Sequence, residues 1–244
     1  MPYRSRLAGF IIDCQGEGHE AAAQFWSEAL RLPRGETYQD GDARYTDLTQ
    51  APGGLHVDVQ QVSHPSRVHL DIEAEDQDAE ADRLEKLGAR RVGFVKRWWV
   101  MEAPTGQRFC IVRWRERDAV AATATTTASA NSRLAGFIID CQTNDLSAAS
   151  RFWSQALGLA ITVKDDGGVG LYDRLQPAAG GLHVEVQKVE HASRVHLDIA
   201  ARDLNAEVQR LEALGARRVT FAHERWWVME APTGQRFCVV PDEA

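Results

Sequence analysis

Apolar and polar residues alternate along a six-residue segment that occurs twice in the chain without change. The segment RVHLDI spans residues 67–72 and again residues 194–199, and its valine, leucine and isoleucine alternate with arginine, histidine and aspartate. This period of two is typical of a β-strand with one apolar and one polar face. The pattern therefore predicts a strand that carries His69 and Asp71 on its polar face, and a second copy of that strand.

The repeat extends well beyond this strand. The segment SRLAGFIIDCQ occupies residues 5–15 and 132–142, and WWVMEAPTGQRFC occupies residues 98–110 and 226–238. Between the copies runs AVAATATTTASANS, which is small and polar without an apolar period, as in flexible linkers. The predicted organisation is domain 1 at residues 1–118, a linker at residues 119–132 and domain 2 at residues 133–244.

Within each copy we predict two rounds of one strand, one helix and three strands, which makes four βαβββ units. Residues 20–30 carry Ala22, Phe25 and Trp26 at helical spacing, and the counterpart helix in the second copy ends at Gly158, a common helix stop. The other elements that the pattern places in the first copy are strands at residues 7–14, 45–48, 55–62, 67–72, 91–95, 98–102 and 107–112 and a helix from the capping residue Asp76 to Gly88.

Composition and charge exclude several classes of protein. The net charge of -7 and the pI near 5.6 argue against a general binder of nucleic acid or anionic membranes, which needs a basic surface. The chain has neither an apolar stretch of membrane-spanning length nor a signal peptide at its start, so we expect a cytoplasmic location. The four cysteines form no CxxC pair, which indicates reduced thiols.

The motifs and their order resemble the glyoxalase, bleomycin-resistance and extradiol-dioxygenase superfamily, also called the vicinal oxygen chelate superfamily. The resemblance is carried by Phe25-Trp26 in the opening strand and helix, by RVHLDI leading into Asp76, and by the closing VMEAPTGQRFC, and it covers nearly all of both copies. It implies an α+β fold of two tandem glyoxalase-like domains. In each domain, two βαβββ units would form a U-shaped mixed sheet around a pocket.

The resemblance also implies where metal ligands would stand. Enzymatic members place them on the first, fourth, fifth and eighth strands, but the first-strand position falls on Gly9 and Gly136, which offer no side chain. A carboxylate, an imidazole and a thiol would remain in each copy, a set softer than the superfamily norm that suits Zn better than Mg. The candidate ligands are Asp58, His69 and Cys110 in domain 1 and Glu185, His196 and Cys238 in domain 2. The alternative interpretation makes each thiol a small buried hydrophobe.

A second set of residues needs no metal. A histidine beside a carboxylate in a pocket can act as a general base near neutral pH, which makes His69 and His196 candidate acid–base residues. The alternative is a polar sheet face in contact with solvent. The candidate carboxylates beside these histidines are Asp58, Asp71 and Glu102, and Glu185, Asp198 and Glu230. The candidate ligand-binding residues are His56, Trp99 and Glu102, and His183, Trp227 and Glu230; the tryptophans suit an aromatic ligand.

The sequence favours a protein that binds or sequesters a hydrophobic or aromatic small molecule, because the first-strand ligand is missing. On this interpretation we expect no cofactor. The alternative is a metal-dependent lyase, isomerase or dioxygenase with Zn, Mn, Fe or Ni, and a third interpretation is a catalytically inert scaffold or regulatory module. We expect a small-molecule ligand as partner, without nucleic acid or membrane, and either a monomer with an internal pseudo-dimer or a homodimer.

Overall fold

The computed structural model describes residues 3–116, 131–165, 168 and 170–242. The elements of domain 1 are β1 (Ser5–Gln15), α1 (His19–Leu30), β2 (Arg34–Asp40), β3 (Ala43–Leu48), β4 (His56–Val62), β5 (Arg67–Ala74), α2 (Gln77–Lys86), β6 (Arg90–Val95), β7 (Trp98–Glu102) and β8 (Arg108–Arg113). Those of domain 2 are β9 (Ser132–Gln142), α3 (Leu146–Leu157), β10 (Ile161–Val163), β11 (Tyr172–Leu175), β12 (His183–Val189), β13 (Arg194–Ala201), α4 (Leu204–Ala213), β14 (Arg217–Ala222), β15 (Trp226–Glu230) and β16 (Arg236–Pro241). The predicted order of elements is confirmed in both copies.

The predicted linker lies outside the described residues except for its last two, and Ser132 is already the first residue of β9. The domain boundaries therefore stay predictions. In the part of the chain that the structure describes, no helix is long and apolar enough to cross a membrane.

Each domain forms a mixed sheet from its two βαβββ units. The strand order is β2-β3-β4-β1-β5-β8-β7-β6 in domain 1 and β10-β11-β12-β9-β13-β16-β15-β14 in domain 2. Within each unit of domain 1 the first and last strands are parallel, whereas the two units meet through the antiparallel pair β1 and β5. The two ends of the sheet approach each other, because Asp40, at the end of β2, forms ion pairs of 3.5 and 3.2 Å with Lys96 and Arg97 in the β6–β7 turn. The sheet therefore curves around a concave face.

The first helix of each domain packs against a strand of the other domain. The ring of Trp26 on α1 lies edge-on to Phe237 on β16, with 5.7 Å between centroids, and Trp153 on α3 lies at the same distance from Phe109 on β8. All four rings are fully buried. The apolar stripe that predicted α1 therefore joins the two domains into one core, while the opposite, concave face of each sheet is left for polar side chains.

Candidate metal-binding site

The concave face of domain 1 brings a histidine, a carboxylate and a thiol together. Strand alternation places His69 and Asp71 of β5 on the same face, and β8 pairs with β5 so that Cys110 lies directly beside Asp71. One ligand atom from each of the three residues lies within 4.8 Å of the other two, and all three residues are buried. The equivalent group in domain 2 has the same geometry and consists of His196, Asp198 and Cys238.

Asp13 fixes the orientation of the His69 ring. Oδ2 of Asp13, a buried residue on β1, lies 2.9 Å from Nδ1 of His69 and 2.9 Å from Nε of Arg67. With the ring proton on Nδ1 and donated to Asp13, the lone pair of Nε2 points toward Asp71, whose Oδ1 is 3.5 Å away. A carboxylate that holds the far nitrogen of a histidine in this way is the usual support of a metal-binding imidazole.

Asp71 has one oxygen in use and one oxygen free of hydrogen bonds. Its Oδ2 lies 3.1 Å from Nε2 of His56, whereas Oδ1 is buried without a hydrogen-bond partner. Only 5% of Asp71 is exposed. A buried polar atom without a partner costs about 1–3 kcal/mol, so such an oxygen indicates a ligand position. Oδ1 of Asp198 has the same status in domain 2, where Oδ2 lies 3.0 Å from His183.

The charges of the site are strongly coupled. Burial acts to lower the pKa of the His69 imidazole, but the fields and hydrogen bonds of Asp13 and Cys110 outweigh burial and raise this pKa well above its ordinary value. Burial raises the pKa of the Cys110 thiol, against the opposing effect of His69. The protein alone therefore favours a protonated imidazole and a protonated thiol, and a metal ion that bound Nε2 of His69 and Sγ of Cys110 would displace both protons.

The histidine and the aspartate of each group are spaced as neighbouring ligands of a tetrahedral metal ion. Zn–N and Zn–O bonds of about 2.0–2.2 Å place neighbouring ligand atoms about 3.3 Å apart in a tetrahedron. The separations between the histidine Nε2 and the aspartate Oδ1 are 3.5 Å in domain 1 and 3.6 Å in domain 2. Three protein ligands that leave the fourth position to water or substrate are the arrangement of catalytic zinc sites.

A side chain at the first-strand position where the superfamily places a ligand is sterically excluded. A Cβ at Gly9 would lie 1.8 Å from the backbone oxygen of His56, and one at Gly136 would lie 2.2 Å from that of His183. No side chain fits at either position, because β4 and β12 approach too closely. These two glycines therefore contribute no ligand, and the grouped donors are the imidazole, carboxylate and thiol of β5 and β8 and their equivalents.

The family model of the glyoxalase-like domain matches residues 9–112 and again residues 136–240. The chain belongs to the glyoxalase-like domain family. No curated protein sequence matches it.

Solved structures with the fold of this glyoxalase-like protein include a variant of 4-hydroxymandelate synthase from Streptomyces coelicolor, with 14% identity, a TM-score of 0.59 and coverage of 98% of this chain and 93% of that one. The Mn(II)-bound glyoxalase from Novosphingobium aromaticivorans has 12% identity and a TM-score of 0.58, with 98% and 83% covered. Homoprotocatechuate 2,3-dioxygenase from Brevibacterium fuscum, in complex with 3,4-dihydroxyphenylacetate, has 14% identity and a TM-score of 0.61, with 98% and 81% covered. At these identities the likeness shows the fold.

Asp58, the predicted fourth-strand ligand, is not in the three-residue group of this glyoxalase-like domain. Its Oδ2 accepts a hydrogen bond of 3.0 Å from the Tyr38 hydroxyl. Glu185, its counterpart, lies 3.1 Å from Nε of Arg174. The metal role of both carboxylates stays a prediction, and Asp71 and Asp198 are the acids that the structure groups with histidine and cysteine.

The predicted ligand-binding residues are divided between the faces of the sheet. His56 and His183 face the site through Asp71 and Asp198. Trp99 lies on the helix side, because its Nε1 donates a hydrogen bond of 2.7 Å to Asp78 on α2. The other predicted residues pair with surface groups: Trp227 packs against Phe221 and Arg218, Glu102 pairs with Arg90 and Arg108, and Glu230 pairs with Arg217 and Arg236. The ligand-binding roles stay predictions.

The sequence analysis did not identify three residues of the site. Asp13 is a charged residue inside the apolar run LAGFIIDC, and this break in the run is the signal that identifies it. Tyr38 and Tyr45 stack with 5.2 Å between ring centroids and 9° between planes. Tyr38 lies on β2, whose side chains are polar and mostly exposed, and Tyr45 lies on the neighbouring strand β3, so no apolar pattern indicated the pair.

Proposed function

We propose that each domain binds a divalent metal ion and that the chain is a metal-dependent enzyme of the vicinal oxygen chelate superfamily, a dioxygenase, lyase or isomerase. The observation that carries this proposal is the convergence of His69, Asp71 and Cys110 within 4.8 Å, repeated in domain 2. The fold of the Mn(II)-bound glyoxalase and of the dioxygenases supports it. The expectation of a cofactor-free binding protein has less support than this alternative.

Each residue has a distinct part in the proposed site. Nε2 of His69, Oδ1 of Asp71 and Sγ of Cys110 would hold the ion, and Asp13 keeps the imidazole in the required orientation. His56 holds the second oxygen of Asp71, which turns Oδ1 toward His69. When bound, a divalent metal supplies Lewis-acid polarisation of a substrate oxygen.

The deciding experiment is the metal content of the purified full chain by elemental mass spectrometry. We expect about one equivalent per domain, and loss of the domain 1 equivalent in Asp71→Asn and Cys110→Ser. Two matched controls, Asp58→Asn and Cys14→Ser, should keep both equivalents, because neither residue belongs to the group. A metal-free protein that also takes up no metal would overturn the proposal. Loss of metal in Asp58→Asn but not in Asp71→Asn would restore the ligand set predicted from the sequence.

The stacked tyrosines favour a second candidate function in domain 1, the binding of an aromatic compound without chemistry. Tyr38 is 41% exposed beside a buried ring, so it presents a flat face next to the site. We expect tryptophan fluorescence to change on addition of an aromatic ligand, and Tyr38→Ala to weaken that response. Unchanged affinity in Tyr38→Ala would contradict this role. The cytoplasmic location and the oligomeric state stay predictions.

A further inference from the structure

Strands β3 and β11 place residues of opposite charge at the same position of the two concave faces. In domain 1, Asp47 on β3 pairs in register with Asp58 on β4. In domain 2 the corresponding pair is Arg174 on β11 and Glu185 on β12. Cross-strand partners point to the same face. The acid on the fourth strand therefore faces a second acid in one domain and a cation in the other.

Domain 2 pairs its acid directly with a cation, whereas the charges of His56 and Arg115 act on the two acids of domain 1 without forming an ion pair. Nε of Arg174 lies 3.1 Å from Oε1 of Glu185. Among the ion pairs within 4.0 Å that the described residues form, none involves Asp47 or Asp58. Burial raises the pKa of Asp47, and the charge of Asp58 raises it further. Like charges directly opposite each other destabilise a sheet, so domain 1 keeps an unfavourable pair that domain 2 has replaced.

This acid pair lies beside the proposed metal site. Asp58 is 91% buried, since 9% of it is exposed, and the charge of Asp71 acts on it to raise its pKa, after the larger effect of burial. Asp71 has the buried oxygen without a hydrogen-bond partner that indicates a ligand on this face. The Tyr38 hydroxyl bonds to Asp58, and the Tyr38 ring stacks on Tyr45. Two carboxylates and a flat aromatic wall thus surround one side of the site.

We infer that the pocket of domain 1 has a subsite for a cationic nitrogen of the substrate, between Asp47 and Asp58. Domain 2 lacks this subsite because it has Arg174 at the position of Asp47 and Asp165 at the position of Tyr38. The inference rests on the proposed function, because the subsite belongs to the substrate pocket of the metal site. The ligand is an organic ammonium group rather than a second metal ion, because an aromatic face beside the acids stabilises an organic cation. Asp47 and Arg174 are thus specificity-determining residues of two pockets with the same donor set.

The test measures the binding of three matched probes to the full chain by calorimetry: benzylamine, which is a cation at neutral pH, benzyl alcohol and benzoate. We expect wild-type protein to bind one benzylammonium ion per chain, more tightly than either other probe. Asp47→Asn should weaken this binding by about tenfold, the size of one charge-assisted contact. Arg174→Asp combined with Asp165→Tyr should create both the acid pair opposite Glu185 and the aromatic face, and raise the stoichiometry to two. The matched control is Asp82→Asn, which removes an exposed acid of α2 and should leave binding unchanged.

Each contrary result has one meaning. Equal affinity for the three probes, or unchanged affinity in Asp47→Asn, would overturn the subsite. Magnesium ions that compete fully with benzylammonium in an Asp47-dependent manner would replace the ammonium ligand with an inorganic cation and overturn the inference as stated. Metal content measured on the same samples separates the two proposals. A protein that contains metal but binds the three probes equally would refute only the subsite. A protein that prefers benzylammonium but contains no metal and takes up none would refute only the proposal of a metal-dependent enzyme.

Discussion

The first helices of the two domains are alike in the middle and different at both ends. Trp26 of α1 and Trp153 of α3 occupy the same buried position at the same distance from a phenylalanine of the other domain. At the N-terminus, Gly18 offers no side-chain cap to α1, whereas Asp145 accepts a hydrogen bond of 2.9 Å from the Ala148 N–H of α3. Packing between the domains thus restricts the middle of each helix, and local capping leaves its ends free to differ.

The buried residue at the start of the helix differs as well. His19 of α1 is buried and lies 2.8 Å from the hydroxyl of Thr46, while its other ring nitrogen, Nδ1, has no hydrogen-bond partner. The same position in α3 is Leu146, which packs against the core. Domain 1 therefore has a titratable group where domain 2 has an apolar one, and its stability should depend on pH at this position.

The largest effect on stability is expected in the middle of α1 and α3, where the two helices have the same buried tryptophan. Trp26→Ala and Trp153→Ala should each lower the free energy of unfolding by about 3–5 kcal/mol, because each removes a fully buried ring from the contact between domains. Denaturant unfolding of the two variants measures this. Phenylalanine substitutions are the controls. Trp26→Phe also loses a hydrogen bond of 3.2 Å to Thr233, whereas the Trp153 N–H has no hydrogen-bond partner. Trp26→Phe should therefore lower the free energy of unfolding more than Trp153→Phe does. Equal costs for the two phenylalanine variants would contradict this difference.

The second-largest effect is a dependence of stability on pH at His19 of domain 1. Burial lowers the pKa of the His19 imidazole; the nearby cations Arg44 and Arg34 lower it further, against the opposing charge of Glu20. The folded state therefore binds this proton less readily than the unfolded state. At pH values above the unfolded pKa of about 6.5, His19 does not change the free energy of unfolding. As the pH decreases from about 6.5 to the folded pKa, the free energy of unfolding decreases by at most about 1.4 kcal/mol per pH unit.

Denaturant unfolding of wild type and His19→Leu at pH 7 and pH 5 measures this effect. The variant should lose less stability on acidification than the wild type does, and Leu146→His should lose more. An identical change in stability for wild type and His19→Leu would show that His19 makes no contribution to acid sensitivity.

Much of the fold was predictable because it depends on local patterns seen twice. The order of elements, the helix stop at Gly158 and the cap at Asp76 are confirmed. Asp76 accepts a hydrogen bond from the backbone N–H three residues on, and Asp203, its counterpart in domain 2, does the same. Strand β2, RGETYQD, was not located, because its side chains are almost all exposed and show no apolar alternation. An edge strand of this kind is specified by the neighbour with which it pairs.

The candidate site was predictable only within a single strand. The alternation of apolar and polar residues along β5 correctly placed His69 and Asp71 on one face, but the residues that contact this pair lie on other strands. Asp13 and Cys110 reach it through the registers of β1 and β8 with β5, which no local pattern encodes. For the same reason the sequence could not show that Asp71, rather than Asp58, stands beside the thiol.

A smaller effect is expected at the C-termini of the two helices. Gly158 ends α3 with φ of 70°, whereas Arg31 ends α1 in the same left-handed conformation, with φ of 56°. Gly158→Ala should cost about 1 kcal/mol, because a side chain disfavours this conformation. Arg31→Ala should leave the backbone energy unchanged, but it loses the contact of 2.9 Å from Arg31 to the Ser132 hydroxyl and the ion pair of 3.6 Å with the buried Glu207. Thermal unfolding compares the two, and a Gly158→Ala variant as stable as wild type would show that the left-handed position is not strained.

The smallest effect is expected at the N-termini. Gly18→Asp should stabilise the protein by only a few tenths of a kcal/mol, because glycine is itself a tolerated N-cap and the gain is one side-chain hydrogen bond. The backbone of Gly18, with φ of -81° and ψ of 37°, is outside the extended conformation that Asp145 approaches at ψ of 84°, which further limits the gain. Asp145→Gly should lose a similar amount in domain 2. A gain well above about 1 kcal/mol in Gly18→Asp would show that the N-terminus of α1 contributes more to stability than one capping hydrogen bond, and would contradict the smaller effect expected at the helix ends.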